Sequence, residues 1–359
     1  MSVLTDEVDM SNRRLALPNK EGIALAVLFA ILVILALASL AIGAVDISIA
    51  QTISILLSKI GINNFAEFSS QQESVVTAIR VPRLLMGLAT GAGLAIAGVV
   101  LQSLFRNPLA DPALIGVSSG SALFVAIAIV LGETIFGAYF LVGRAYALPV
   151  AAFIGGLLST SFIYQIGRRD GSASMATMLL AGIAVNAFAG AGIGMMSFYA
   201  SDAQLRNITF WTLGSLSGAT WQTVTVAVPL IVVAALLILR LARPLNVLLL
   251  GETEAKYLGV NIEKIKWQAI VLVVFTVGSA VAVTGTIGFV GLVVPHLLRL
   301  TIGADHRFLL PGSALLGGCL LIGADIVSRT IVSPAEIPIG IITALIGAPF
   351  FIWLLLKRG

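Results

Sequence analysis

The sequence predicts an all-α polytopic membrane protein with ten transmembrane helices in one domain, and three observations predict it. The 359 residues are 58% hydrophobic and only 11% charged, against roughly 25% charged in an ordinary soluble domain. Mean hydropathy is +1.06, so lipid rather than water has to be the main solvent. The few charges bound apolar stretches of about 20 residues, the length that crosses a hydrocarbon core of roughly 30 Å.

Charge-free stretches at 22–45, 84–105, 112–132, 145–167, 308–324 and 337–356 each read as one span. Residues 171–201 read as one long helix with a polar start. Within 207–239, the segment Asn207–Gly218 is too polar for lipid exposure; it reads as a short half-inserted helix ahead of a span from about Thr223. The stretch 267–298 is too long for one crossing, and Thr284-Gly-Thr-Ile-Gly-Phe-Val-Gly breaks it into a span, a turn and a short helix ending near Arg299. Residues 1–21 form a tail, and 22–359 a single domain.

Basic residues orient the spans. With the N-terminus in the cytoplasm, 15 of the 21 fall inside, and Lys59, Arg80, Arg83, Arg144, Arg206 and Arg329 fall outside. That bias is the expected one, and an odd number of spans would put Lys357 and Arg358 on the wrong side. Both termini are therefore expected in the cytoplasm. Gly87-xxx-Gly91 and Gly190-xxx-Gly194 should let helix backbones approach closely.

Several function classes are excluded. The net charge of +4 carries no basic–aromatic patch, so nucleic acid is not a partner. The single Cys319 leaves no intrachain disulfide and no cysteine zinc site. His296 and His306 lack partners at metal-ligand spacing, and no phosphate loop, HExxH or GxSxG pattern occurs. No catalytic residue, metal or stably bound cofactor is expected. Asp325 is the one acid near a span, and Arg329 four residues on can neutralise it. That is a poor basis for an ion-coupled carrier.

The 240–266 loop is the informative inside segment. Gly251 and Gly259 bracket a short helix on which Ala255, Leu258 and Ile262 form one stripe, a handle for a partner or for the lipid surface.

Gly251-Glu252-xx-Ala255-xx-Leu258-Gly259 resembles the ATPase-docking loop of ABC importer permeases. Further blocks are similar to the iron-chelate, haem and vitamin B12 uptake permeases, the type II ABC importers. They are Arg80-Val-Pro-Arg-Leu with Leu101–Pro112, then Gly288–His296, then Ala324–Arg329 through Glu336–Trp353. The resemblance spans 22–359. It implies a homodimer in the bacterial inner membrane, two ATPase subunits that use ATP inside, and a periplasmic substrate-binding protein outside. On it, Gly251, Glu252, Ala255, Leu258 and Gly259 couple the ATPase, while Arg80, Arg83 and Arg329 dock the binding protein. Asn107, Leu109, Met175 and Ala176 match the cytoplasmic gate, the last pair departing from the small hydroxyl residues of the vitamin B12 permease. The stretch from Arg206 most resembles the haem-importing branch. It implies haem as cargo, with Arg206 meeting a propionate and Phe198, Tyr199, Phe210 and Trp211 offering aromatic surface. Ferric siderophores and cobalamin are the alternatives. His296 falls in a family motif near a helix end and reads as structural, not as a haem ligand.

Overall fold

The computed structural model describes residues 20–62, 65–169, 172–333 and 335–358; most of the expected 1–21 tail lies outside them. The apolar runs form helices because only a helix pairs its own backbone groups without water. Helix α1 (Lys20–Ala41) is followed by a short α2 (Ile49–Ser58). A capping box starts α2, with Ser48 and Gln51 satisfying each other's backbone N–H. Helix α3 (Ser70–Ser74) runs through a π-helical turn, Val75–Arg80, into α4 (Val81–Leu104). The π turn frees the Thr77 carbonyl, which accepts from the Trp221 indole at 2.8 Å.

A 3₁₀ turn (Pro112–Ile115) precedes α5 (Val117–Phe136) and α6 (Ala138–Gly167). The span expected from 112 thus starts at 117, because left-handed Gly116 separates turn from helix. A two-residue antiparallel pair, β1 (Arg168–Arg169) with β2 (Ser172–Ala173), leads into α7 (Met175–Tyr199). Helix α8 (Asp202–Leu213) starts five residues before the expected half-inserted segment, at a Ser201–Gln204 capping box. Then come α9 (Trp221–Leu239), the short α10 (Ala242–Leu248) and α11 (Glu252–Tyr257), and α12 (Ile262–Thr284). Helices α13 (Val290–Thr301), α14 (His306–Thr330) and α15 (Ile339–Arg358) complete the chain. Among the described residues eight helices are long and apolar enough to cross a membrane; of the three shorter apolar helices, in α2, α13 and α15, the last two fall where the other two of the ten expected spans lie.

Helix α4 is the axis of the bundle: 83% of its apolar window is buried, against 11% for α1 and 17% for α7. Glycine permits this. Gly91 lies against the backbone of Gly317 on α14, and Gly98 against that of Gly291 on α13, with no room for a Cβ at either. The Gly190–Gly194 pair behaves differently. A Cβ at either would meet nothing within 4 Å, so this expected packing motif on α7 faces open space instead.

Candidate functional site

After α9 the chain runs through α10, whose Ala242, Leu245 and Leu248 are buried in the core, and then α11, before returning at α12. Gly251 (φ +135°) and Gly259 (φ +79°) hold conformations that favour glycine. Gly259 ends α11 in a Schellman motif: its own N–H donates to Lys256 and that of Val260 to Ala255. Ala255 and Ile262 are buried, as the expected stripe requires, but Leu258 is 62% exposed. The helix stops at Tyr257, so Leu258 falls outside its 3.6-residue period and turns outward. Adjacent Tyr257, 88% exposed, joins it in an apolar patch, and Leu250 is exposed as well. Sequence reasoning did not single out Tyr257, although an aromatic residue beside charges in a glycine-bracketed loop was visible. Glu252 turns inward and accepts from Lys266 at 3.0 Å.

Helix α10 is pinned to the bundle by His306. The His306 ring and backbone N–H both reach Asn246 Oδ1, and the other ring nitrogen lies 2.6 Å from Ser103 Oγ on α4. Since Asn246 Oδ1 can only accept, Nδ1 carries the proton, and Ser103 Oγ, which also reaches the Val99 carbonyl at 2.8 Å, lies against Nε2. Asn246 in turn donates to Asp305, whose carboxyl Arg307 holds well below the usual carboxylate range through its hydrogen bond. His306→Leu removes both ring contacts but leaves Asn246 Oδ1 the backbone N–H of residue 306 and Ser103 the Val99 carbonyl, so it is expected to cost about 0.5–1.5 kcal/mol for each hydrogen bond lost. Thermal unfolding of the purified permease reads this out; an unchanged transition means the clamp holds nothing.

At the same end lie the four residues expected at the gate. Asn107 Oδ1 accepts the Leu109 N–H at 2.9 Å, and Asp111 caps the 3₁₀ turn through Ala113. That turn rests on α7. Asn186 donates to the Ala113 carbonyl at 3.1 Å, and Gly182 sits under the Leu114 carbonyl too closely for any side chain. Met175 packs against the core at the first residue of α7, and Ala176 is exposed.

The opposite end holds the three arginines expected to dock a binding protein, and none of them is free. Arg80 and Arg83 are 4% and 7% exposed. Arg80 donates to the carbonyls of Leu40, Ala41 and Val45. Arg83 grips Asp325 through Nε and Nη2, at 2.9 and 2.8 Å, and Glu336 through Nη1 at 2.7 Å. Arg329 donates to Ser39 and lies 3.6 Å from Asp325. Asp325 therefore pairs with two arginines, Arg83 first, where spacing alone pointed to Arg329. Both Arg80 and Arg83 lie inside the continuous helix Ser70–Leu104, which runs on beyond the span expected to start at 84.

The residues expected to meet cargo divide. Phe198, Tyr199 and Phe210 are exposed, the first two edge to face at 5.3 Å. Arg206 is exposed one turn before Phe210, and no described side chain pairs with it. Trp211 is half-buried against the core, so its ring is packing rather than open surface. His296 is buried on α13 and stacks edge to face with Phe350 at 6.2 Å, in keeping with a structural role.

An apolar helical bundle with an open glycine-bearing helix face and an exposed glycine-bracketed loop is the architecture of a membrane-embedded subunit. This is the class of the ABC importer permeases. The chain belongs to the FecCD transport family, whose sequence profile matches residues 31–357. It is 49% identical over 280 residues to the hemin transport system permease HmuU of Yersinia pestis, covering 78% of this chain and 82% of that one. It is 44% identical over 284 residues to the cobalamin import permease BtuC of Halobacterium salinarum, covering 79% and 74%. A solved structure of a metal-chelate type ABC transporter, facing inward, superposes with a TM-score of 0.80 at 34% identity, over 94% of this chain and 99% of that one.

Proposed function

We propose that this permease forms the passage of a haem importer in a bacterial inner membrane. Two copies line the passage, two ATPase subunits seat on the α11 patches, and a periplasmic binding protein docks at the Arg83 end. Both termini then lie on the ATPase side. The observation that carries haem over other cargos is Arg206, an exposed cation with no partner among the described side chains, one turn from exposed Phe210 and close in sequence to Phe198 and Tyr199. A porphyrin with propionates asks for both features, aromatic surface and a carboxylate-binding fork. The 49% identity to a hemin permease supports the same cargo. Cobalamin is the second reading, favoured by the 44% identity to a cobalamin permease.

Docking at the other end is proposed as an exchange. The Glu336 side chain is about one-third exposed, so a carboxylate of the binding protein can take its place on Arg83 without uncovering Asp325.

The test reconstitutes the permease with its ATPase and binding protein in proteoliposomes. Haem-loaded binding protein should stimulate ATP hydrolysis, and cobalamin- or siderophore-loaded protein should not; the reverse result reassigns the cargo. Within that assay, Arg206→Ala is expected to cut haem uptake roughly tenfold or more, the loss of a charged hydrogen bond of about 1.5–3 kcal/mol. Arg206→Lys should recover part of it, keeping charge without the fork. A haem with esterified propionates should not distinguish Arg206→Ala from wild type.

A further inference from the structure

The link between α11 and the gate is a single buried ammonium. Lys266 stands in the second turn of α12 and is 3% exposed. A lysine has three N–H bonds to satisfy, and Lys266 finds three acceptors on three different parts of the chain. Its Nζ donates to Glu252 Oε2 on α11 at 3.0 Å, to the Ala173 carbonyl on β2 at 3.0 Å, and to Glu263 Oε1 on its own helix at 3.4 Å. Glu263 closes the arrangement, because its second oxygen accepts the Ala173 N–H at 2.9 Å. Both backbone groups of Ala173 are therefore held by the first turns of α12.

Ala173 is the last residue but one before α7. Ser174 caps that helix through Thr177, and Met175 and Ala176 open it. From there the chain of contacts continues through Gly182 and Asn186 to the 3₁₀ turn and the loop bearing Asn107 and Leu109. At the other end of the link, Glu252 is rigidly part of α11, the helix that presents Tyr257. A displacement of α11 has to either pull the Glu252–Lys266–Ala173 link or break it.

We propose that Lys266 is the positioning residue that transmits movement of the docking helix to the inner gate, holding the entry to α7 in register with α11. This rests on the reading of α11 as the ATPase seat. The alternative is a static staple that holds β2 against α12 and moves nothing. Geometry favours the link, because a staple needs only Glu263 and Ala173, whereas the ammonium also reaches an acid on the outermost helix. The Glu252 side chain is 44% exposed and so has water as an available partner, yet it points back into the bundle.

The experiment uses the whole importer in proteoliposomes and reads two quantities. One is haem moved per ATP hydrolysed. The other is the rate at which a maleimide labels Ala176→Cys, with and without ATP, in a chain whose native Cys319 is buried. Lys266→Met should lower haem moved per ATP by roughly 5-fold or more, the lower end of what coupling between sites carries. It should also abolish the ATP-dependent change in labelling. Lys266→Arg, which can still span two carboxylates, should restore much of both. Should Lys266→Met unfold the chain, Glu252→Ala removes the acceptor, cuts only the α11 arm and leaves Ala173 held; it should uncouple at an unchanged melting temperature. Wild-type coupling and a wild-type labelling response in Glu252→Ala overturn the proposal and leave the staple. Failure of the ATPase to bind the wild-type permease at all removes the docking reading, and this proposal with it.

Discussion

Arg83→Met is expected to destabilise the permease by about 3–5 kcal/mol, the penalty for removing one partner of a buried ion pair. Asp325 is 3% exposed, and its carboxylate takes both Arg83 Nε and Nη2, while Arg329 stands off at 3.6 Å. Without Arg83 the charge has neither water nor a well-placed donor. Arg83→Lys should recover little, because an ammonium cannot reproduce the planar fork that serves Asp325 and Glu336 together. The informative comparison is Arg83→Met with Asp325→Leu. Replacing a buried pair by apolar side chains is often neutral or stabilising, so the double variant should melt well above Arg83→Met alone. Arg80 is a useful contrast. It satisfies three backbone carbonyls and no acid, so its loss orphans acceptors but strands no charge, and the effect should be smaller. Detergent-phase thermal unfolding and the amount of protein recovered from membranes measure the series. A native-like melt for Arg83→Met would show that Asp325 finds its neutralisation elsewhere.

The same cluster shows where the sequence stopped being readable. Distances between charges located the spans wherever charges sit at span ends. They did not show that the helix continues through Arg83 and Arg80 back to Ser70, where carbonyls of α1 and acids of α14 and the loop before α15 satisfy the two arginines. Partners 242 and 253 residues away in sequence leave no local trace. Short helices were missed for another reason. A hydropathy ruler is blind to α2 and to the true start of α8, yet both carry a Ser-x-x-Gln capping box that the sequence displays openly. Glycines were legible as small but not as to what they face: Gly91 meets a backbone and Gly190 meets nothing. In the site, the loop proposed to seat the ATPase was readable because Gly251 and Gly259 punctuate it. The direction of its side chains was not, since the Schellman turn ends the helix one residue before Leu258. Lys266 looked like one more inside charge in a basic loop. Only folding reveals that it is buried against a strand that precedes α7.

The outward turn of Leu258 changes how the ATPase seat should be probed. Bulky replacements at Ala255 cannot isolate docking, because Ala255 is fully buried and overpacking would distort the fold at a cost of about 1–3 kcal/mol. Tyr257 and Leu258 are exposed, so truncating them should leave the melting temperature of the isolated permease unchanged. A Tyr anchor at the centre of an interface is worth about 2 kcal/mol or more when cut to alanine. With Leu258 lost as well, about 4 kcal/mol of docking energy goes, which is roughly a thousandfold in Kd. The two side chains are adjacent, so their losses need not add, and the single variants belong in the experiment. Glu254→Ala supplies the control: it is exposed on the same helix and charged, and a rim charge of this kind changes association rate and salt dependence more than affinity. Binding of the ATPase to detergent-solubilised permease is the measurement. Tyr257→Ala with Leu258→Ala should abolish co-purification while the permease alone melts as wild type. Full-affinity binding by that variant would move the ATPase seat off the α11 patch.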